Sequence, residues 1–93
     1  MLSNASLAGC PRLAGGLRLE RAATHPVLAG ARGAVRINSS AAAVLALCDG
    51  THATEAIVSA IVSGRAGSQH EGVAADVRAF VDAARRRGWV EAA

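Results

Sequence analysis

The chain has no lysine and no tyrosine, and its only aromatic rings are those of Phe80 and Trp89. With so few rings, Leu, Val, Ile and Ala must fill any core, and Trp89 becomes a candidate anchor. Cysteine is nearly as scarce. Cys10 and Cys48 are far apart and match no metal or redox spacing, which excludes a disulfide framework and a CxxC site and suits a reducing cytosol. No apolar run approaches the roughly 20 residues that a bilayer-spanning helix needs. The opening MLSNASLAGCPR lacks the basic start and apolar stretch of a secretory signal. A cytoplasmic protein without membrane contact is expected.

What is present suits one globular domain. A chain of 93 residues, 52% hydrophobic and 18% charged, should bury roughly 60 to 70% of its unfolded surface around one modest core. Net charge is +3 and every cation is Arg, a balance that could suggest nucleic acid. The arginines are scattered, however, apart from Arg85-Arg86-Arg87, a tract well short of a polybasic tail. No nucleic-acid partner is expected on this ground.

Residues 1–15 are small, polar and interrupted by Pro11, and they read as a flexible lead-in. Residues 1–10 are set apart from a domain proper spanning 11–93. Gly16 to Glu20 alternates apolar and polar residues as a half-buried strand does. His25 to Ala29 and Ala34 to Ile37 are two more short strands, joined by a turn from Gly30 to Gly33 whose glycines permit positive φ. After Asn38, either Ser39 or Ser40 can cap a helix. Ala41, Val44, Leu45 and Cys48 then share one face, and Gly50 suits the left-handed residue that ends it. A second helix over 54–63 places Thr54, Ile57, Val58 and Ile61 on one stripe. A third opens with the capping box of Ser68 and Glu71 and buries Val73, Val77, Phe80, Val81 and Ala84. On it Asp82 and Arg86 form an i, i+4 pair, and Arg85 to Arg87 complement the helix dipole before Gly88 stops the chain. Trp89-Val90 continues as a short extended tail that can close over the core. The expected fold is α+β: a small winged-helix-like domain, with a three-stranded antiparallel sheet followed by three helices.

No residue set converges as a catalytic centre does. Cys48 lies on an apolar stripe with no His or Lys beside it, so packing is favoured over a reactive thiol. Asp49-Gly50 reads as a helix end. His25, His52 and His70 fall in loops or at element ends and are expected to be exposed. In a DNA-reading helix-turn-helix the first turn of the recognition helix meets the bases; here it reads Gln69, His70, Glu71, with Asp76 beyond, and carboxylates there repel phosphate.

The run Ile37 to Gly50, INSSAAAVLALCDG, resembles the central signature of the PqqD family, the coenzyme PQQ synthesis protein D type. In that signature Leu-Asn, Ser or Thr with Ala, an aliphatic pair and Asp-Gly recur in order. Pro11 and Gly16-Leu17-Arg18-Leu19 resemble the family's opening Pro and Gly-Val-Arg-Leu. Ala75-Asp76-Val77 with Phe80-Val81 resembles its last helix, and Arg87-Gly88-Trp89-Val90 its closing Gly-Trp-Leu. The resemblance covers residues 11–90. Ala31-Arg32 stands where the family usually has Pro-Glu, and Ala53 where Thr or Ser often opens the second helix.

The resemblance implies a peptide chaperone and no enzyme. Such a module binds the leader of a ribosomally made precursor peptide, of the PqqA type, and presents it to a radical S-adenosylmethionine enzyme of the PqqE type. The iron-sulfur clusters belong to the partner, so no cofactor is expected here. In related domains the leader adds as a strand to the sheet edge and lies against the last helix. By that analogy the expected contacts are Ala34, Val35, Arg36 and Ile37 on the third strand, with Val73, Val77, Val81 and Arg85 on the last helix. Arg36 and Arg85 are expected to pair with acidic leader residues. A recognition domain of another peptide-modifying pathway and a winged-helix DNA-binding regulator are the alternatives. A smooth sheet edge would equally support a homodimer.

Overall fold

The computed structural model describes residues 9–22, 24–64 and 70–92. The elements are β1 (Pro11–Leu13), β2 (Arg18–Ala22), β3 (His25–Gly30), β4 (Gly33–Arg36), α1 (Ser39–Ala46), α2 (Thr54–Ser63), α3 (His70–Arg86) and β5 (Val90–Ala92). Ser68 of the expected capping box and the side chain of His70 lie outside the described residues.

The alternation in the first third of the chain produces the expected antiparallel sheet, in the order β2-β3-β4. Its register runs from Arg18↔Ala29 to Ala22↔His25 on one side of β3, and from Val27↔Arg36 to Gly30↔Gly33 on the other. The two turn glycines have different tasks. Gly33 uses positive φ, whereas a Cβ on Gly30 would meet Leu17 Cδ2 at 2.6 Å, so Gly30 lets Leu17 lie close against the hairpin.

A second, two-stranded sheet corrects the reading of residues 11–13 as lead-in. Pro11 to Leu13 pairs antiparallel with β5, Pro11 opposite Ala92 and Leu13 opposite Val90. The Leu13 N–H also donates to Cys48 O at 3.1 Å, and the Gly50 N–H to Pro11 O at 2.9 Å, so β1 is held on both sides. Arg12 and Glu91 face each other at 3.1 Å above this pairing. Three residues are too few to show a period, and their partners lie at the other end of the chain.

Helix ends depart from expectation in small ways. The cap of α1 is Asn38, whose Oδ1 accepts the Ala41 N–H at 2.7 Å; neither Ser39 nor Ser40 does this. The helix stops at Ala46, so Cys48 and Gly50 follow it, Gly50 taking positive φ in the loop. The stripe of α2 is as read, with Ile57 and Val58 buried. At the end of α3 the Gly88 N–H bonds Arg85 O and the Trp89 N–H bonds Ala84 O, the two bonds of a Schellman motif around a left-handed glycine. Asp82 pairs with Arg85 at 3.9 Å, one residue short of the expected Arg86.

Leu28 of β3, Leu45 of α1, Ile57 of α2 and Val81 of α3 are the most enclosed large side chains of the core. Ile37, Val44, Cys48, Val58, Val77, Ala84 and Val90 complete the cluster. Every element following β2 therefore reaches it except the edge strand β4, whose residues are all exposed. Each such aliphatic side chain contributes about 1.5–3 kcal/mol of burial.

Candidate functional site

The exposed strand β4 is an edge. Among the described residues it pairs with β3 alone, and the hydrogen-bond parity shows which of its groups remain free. The Ile37 N–H bonds Pro26 O at 3.2 Å, and Gly30 and Gly33 flank the two-residue turn. In an antiparallel ladder bonded positions alternate, so Gly33, Val35 and Ile37 turn their backbone groups toward β3. Ala34 and Arg36 turn theirs outward. Val35 stands opposite Leu28 and is 45% exposed, the one exposed large hydrophobic side chain among the described residues.

A groove of about 250 Å³ opens just past the end of β4. Its apolar floor combines Ala41 and Val44 of α1, Ile61 of α2, and Val73, Val77 and Phe80 of α3. Asn38, Ser40 and Asp76 supply its polar groups. The helix period explains the α3 contribution: positions 73, 76, 77 and 80 share one side. A second hollow, of about 360 Å³, lies at the other end of β4, where Ala34 and Val35 face Leu17, Leu28 and Trp89. The edge strand thus runs between two apolar depressions.

The residues singled out from the sequence are only partly gathered here. Ala34, Val35 and Arg36 form the edge, and Val73 lines the groove, half-buried. Ile37 and Val77 are buried, Val77 forming groove floor, while Val81 at 1% exposure is core. Arg36 points to the sheet face opposite Val35, beside Thr24, His25 and Pro26. Arg85 lies about 140° round α3 from Phe80, since each residue advances roughly 100°. It shares its side with Arg78, which holds Glu55 of α2 in a two-nitrogen contact at 2.7 and 2.8 Å. Asn38, Ile61, Asp76 and Phe80 were not named as site residues. Asp76 and Phe80 lie at i+3 and i+7 from Val73, a spacing that could have found them; Asn38 and Ile61 come from other elements and carry no such signal.

The remaining reactive groups are held in structural roles. Burial raises the Cys48 thiol to about 11, with Asp49 adding to the shift and Arg85 opposing it, and its Sγ lies 3.4 Å from Val44 O. Asp49 accepts hydrogen bonds from the Thr51 hydroxyl at 2.7 Å and the Thr51 N–H at 2.9 Å, and His52 Nδ1 stands 3.0 Å away. These partners, the Thr51 hydroxyl foremost, hold the carboxyl at about 2. His52 is therefore a partner of Asp49 with its side chain 39% exposed, whereas His25 is half-buried at the start of β3 and not the exposed residue expected. Among the described residues no three His, Cys, Asp or Glu side chains come together as a metal site, and no helix is long and apolar enough to cross a membrane.

Residues 25–90 match the family described as Coenzyme PQQ synthesis protein D (PqqD). The chain is also 36% identical over 92 residues to the PqqA binding protein of Azotobacter vinelandii, an alignment covering 97% of this chain and 98% of the relative. The chain belongs to the PqqD family. The matched PqqD region holds β3, β4, all three helices and the start of β5, hence both the edge and the groove. The fold of this PqqD-family chain is similar to that in the solved structure of TbiB1 in complex with the TbiA(beta) leader peptide. There the TM-score is 0.68 at 18% identity, over 86% of this chain and 94% of the other.

Proposed function

We propose that this PqqD-family chain binds the leader of a ribosomally made precursor peptide of the PqqA type and presents it to a radical S-adenosylmethionine enzyme of the PqqE type. In this role the chain is a chaperone in coenzyme PQQ synthesis, acts in the cytoplasm and is not an enzyme. The observation that carries the reading is the open edge of β4, with its exposed Val35, between two apolar hollows. The relative named for PqqA binding supports the peptide's identity.

A leader segment adds as a fourth strand, bonding the outward N–H and C=O groups of Ala34 and Arg36. Strand geometry then turns alternate peptide side chains to the inner face, where Val35 and the hollows receive apolar residues. Ile37, Val77 and Val81 act from beneath by fixing strand and helix in place. The Arg36 guanidinium pairs with an acidic residue on the outer face of the added strand. Arg85, on the far side of α3, is placed for a part of the peptide that passes beyond the groove, or for the modifying enzyme. Two copies joined edge to edge through β4 would form a homodimer and would compete with the peptide for the same groups. A leader from another peptide-modifying pathway would be held by the same edge.

Arg36→Pro removes an outward-facing N–H without removing a bond to β3. The experiment is a fluorescence anisotropy titration with a labelled PqqA-type precursor peptide. Losing the edge bond should weaken binding about tenfold while the circular dichroism spectrum stays unchanged. A folded Arg36→Pro protein with full affinity would place the peptide elsewhere. Salt-sensitive, sequence-selective binding of a DNA duplex in place of the peptide would support the regulator instead, although exposed Glu71 and Asp76 on α3 oppose phosphate.

A further inference from the structure

Among the described residues Asp76 is the one ionisable side chain that lines the groove past the end of β4; the floor around it is apolar. It is exposed, and among the described residues it has no hydrogen-bond or ionic partner. This sets it apart from most of the acidic residues. Glu20, Glu55, Asp82 and Glu91 each stand against an Arg, and Asp49 against His52. Glu71 also has no partner among the described residues but lies about 140° round α3 from Asp76, away from the groove. Asp76 is thus an unpaired carboxylate at an apolar hollow, in a chain whose net charge is +3.

Resting on the peptide-binding reading above, we propose that Asp76 selects for a Lys or Arg in the bound peptide, seated beside the apolar residue that enters the groove. The chemistry suits a long cationic side chain. Its methylene stem can lie along the apolar floor while its head reaches the carboxylate at the rim. Phe80, one turn further along α3, adds a ring near the same path. The apolar surroundings exclude water from one side of the pair, which strengthens the attraction relative to an open surface. Arg36 on the strand and Asp76 on the helix then carry opposite charges on different sides of the bound segment. A leader with an acidic residue for one and a basic residue for the other is thereby fixed in register and direction.

The test measures wild type, Asp76→Asn, Asp76→Arg and Val73→Asp against a fluorescein-labelled PqqA-type precursor peptide. It includes peptide versions in which each Lys or Arg is changed to Glu in turn. Asp76→Asn should weaken the unmodified peptide about fivefold at low salt, and the difference should shrink as salt rises. One Lys→Glu or Arg→Glu peptide should bind Asp76→Arg more tightly than it binds wild type. Retained affinity in Asp76→Asn with no such charge swap, while Val73→Asp still weakens binding, would overturn the role of Asp76 and leave the groove standing. Failure of wild type to bind the unmodified peptide would overturn both.

Discussion

At the scale of single residues, the chain separates chemistry from packing clearly. Cys48 looked like core from its neighbours in the sequence, and the structure buries it at 4% exposure with its proton held to about pH 11. The unfolded chain releases that proton near the ordinary value of 9.0. Between those values the unfolded state binds fewer protons than the folded one, so stability falls as pH rises. The urea midpoint should therefore be level from pH 7 to 9 as far as this thiol is concerned and decline from 9 to 11. Cys48→Ala should remove that part of the decline, and an identical slope in the variant would show that the thiol is not the cause. Asp49 and His52 illustrate what the sequence concealed. Their closeness depends on the loop between Leu47 and Thr54 folding back on itself, whereas the spacing of Asp49 and His52 alone fits many conformations.

At the scale of elements, strong periods were legible and termini less so. The stripes of α2 and α3 were readable because three and five apolar residues, respectively, repeat on one face, and tertiary packing rewards that repeat. The cap of α1 fell on Asn38 and not on Ser39 or Ser40 because several adjacent side chains can accept the same N–H, and the approach of β4 decides among them. The stop of α3 at Gly88 was readable, since a left-handed residue there nearly requires glycine. Gly88→Ala should cost about 1–2 kcal/mol, seen as a lower urea midpoint. It should also disturb the placement of Trp89, whose ring carries the Arg87 guanidinium at 5.2 Å. Unchanged stability would mean that the Schellman motif is not a significant clamp on the chain end. The pairing of β1 with β5 was illegible because strands of three residues show no period and long-range partners leave no local trace.

At the scale of the whole molecule, two surfaces emerge with different tasks. Where β1 and β5 meet the loop after α1, residues 11–13 and 90–92 are fastened together over the core. The second surface is β4 with its two hollows, one of which reaches Leu17 and Trp89. The fold class and the edge strand could be read from alternation and turn residues, and the order of motifs pointed to the family. The groove could not be read, since Asn38, Ala41, Ile61 and Phe80 meet only when three helices pack beside the sheet. The expected leader contact of Arg85 rested on analogy, and the turn of α3 sets that residue on the side of Arg78. The most direct test of the central claim is a backbone NMR titration of isotope-labelled protein with the PqqA-type precursor peptide. Strand addition predicts saturable shifts centred on Ala34 to Ile37, on Val73, Asp76 and Phe80, and on Leu17 and Trp89 of the second hollow. Shifts confined to other surfaces, or none with the peptide but shifts at the start of α3 with a DNA duplex, would contradict it.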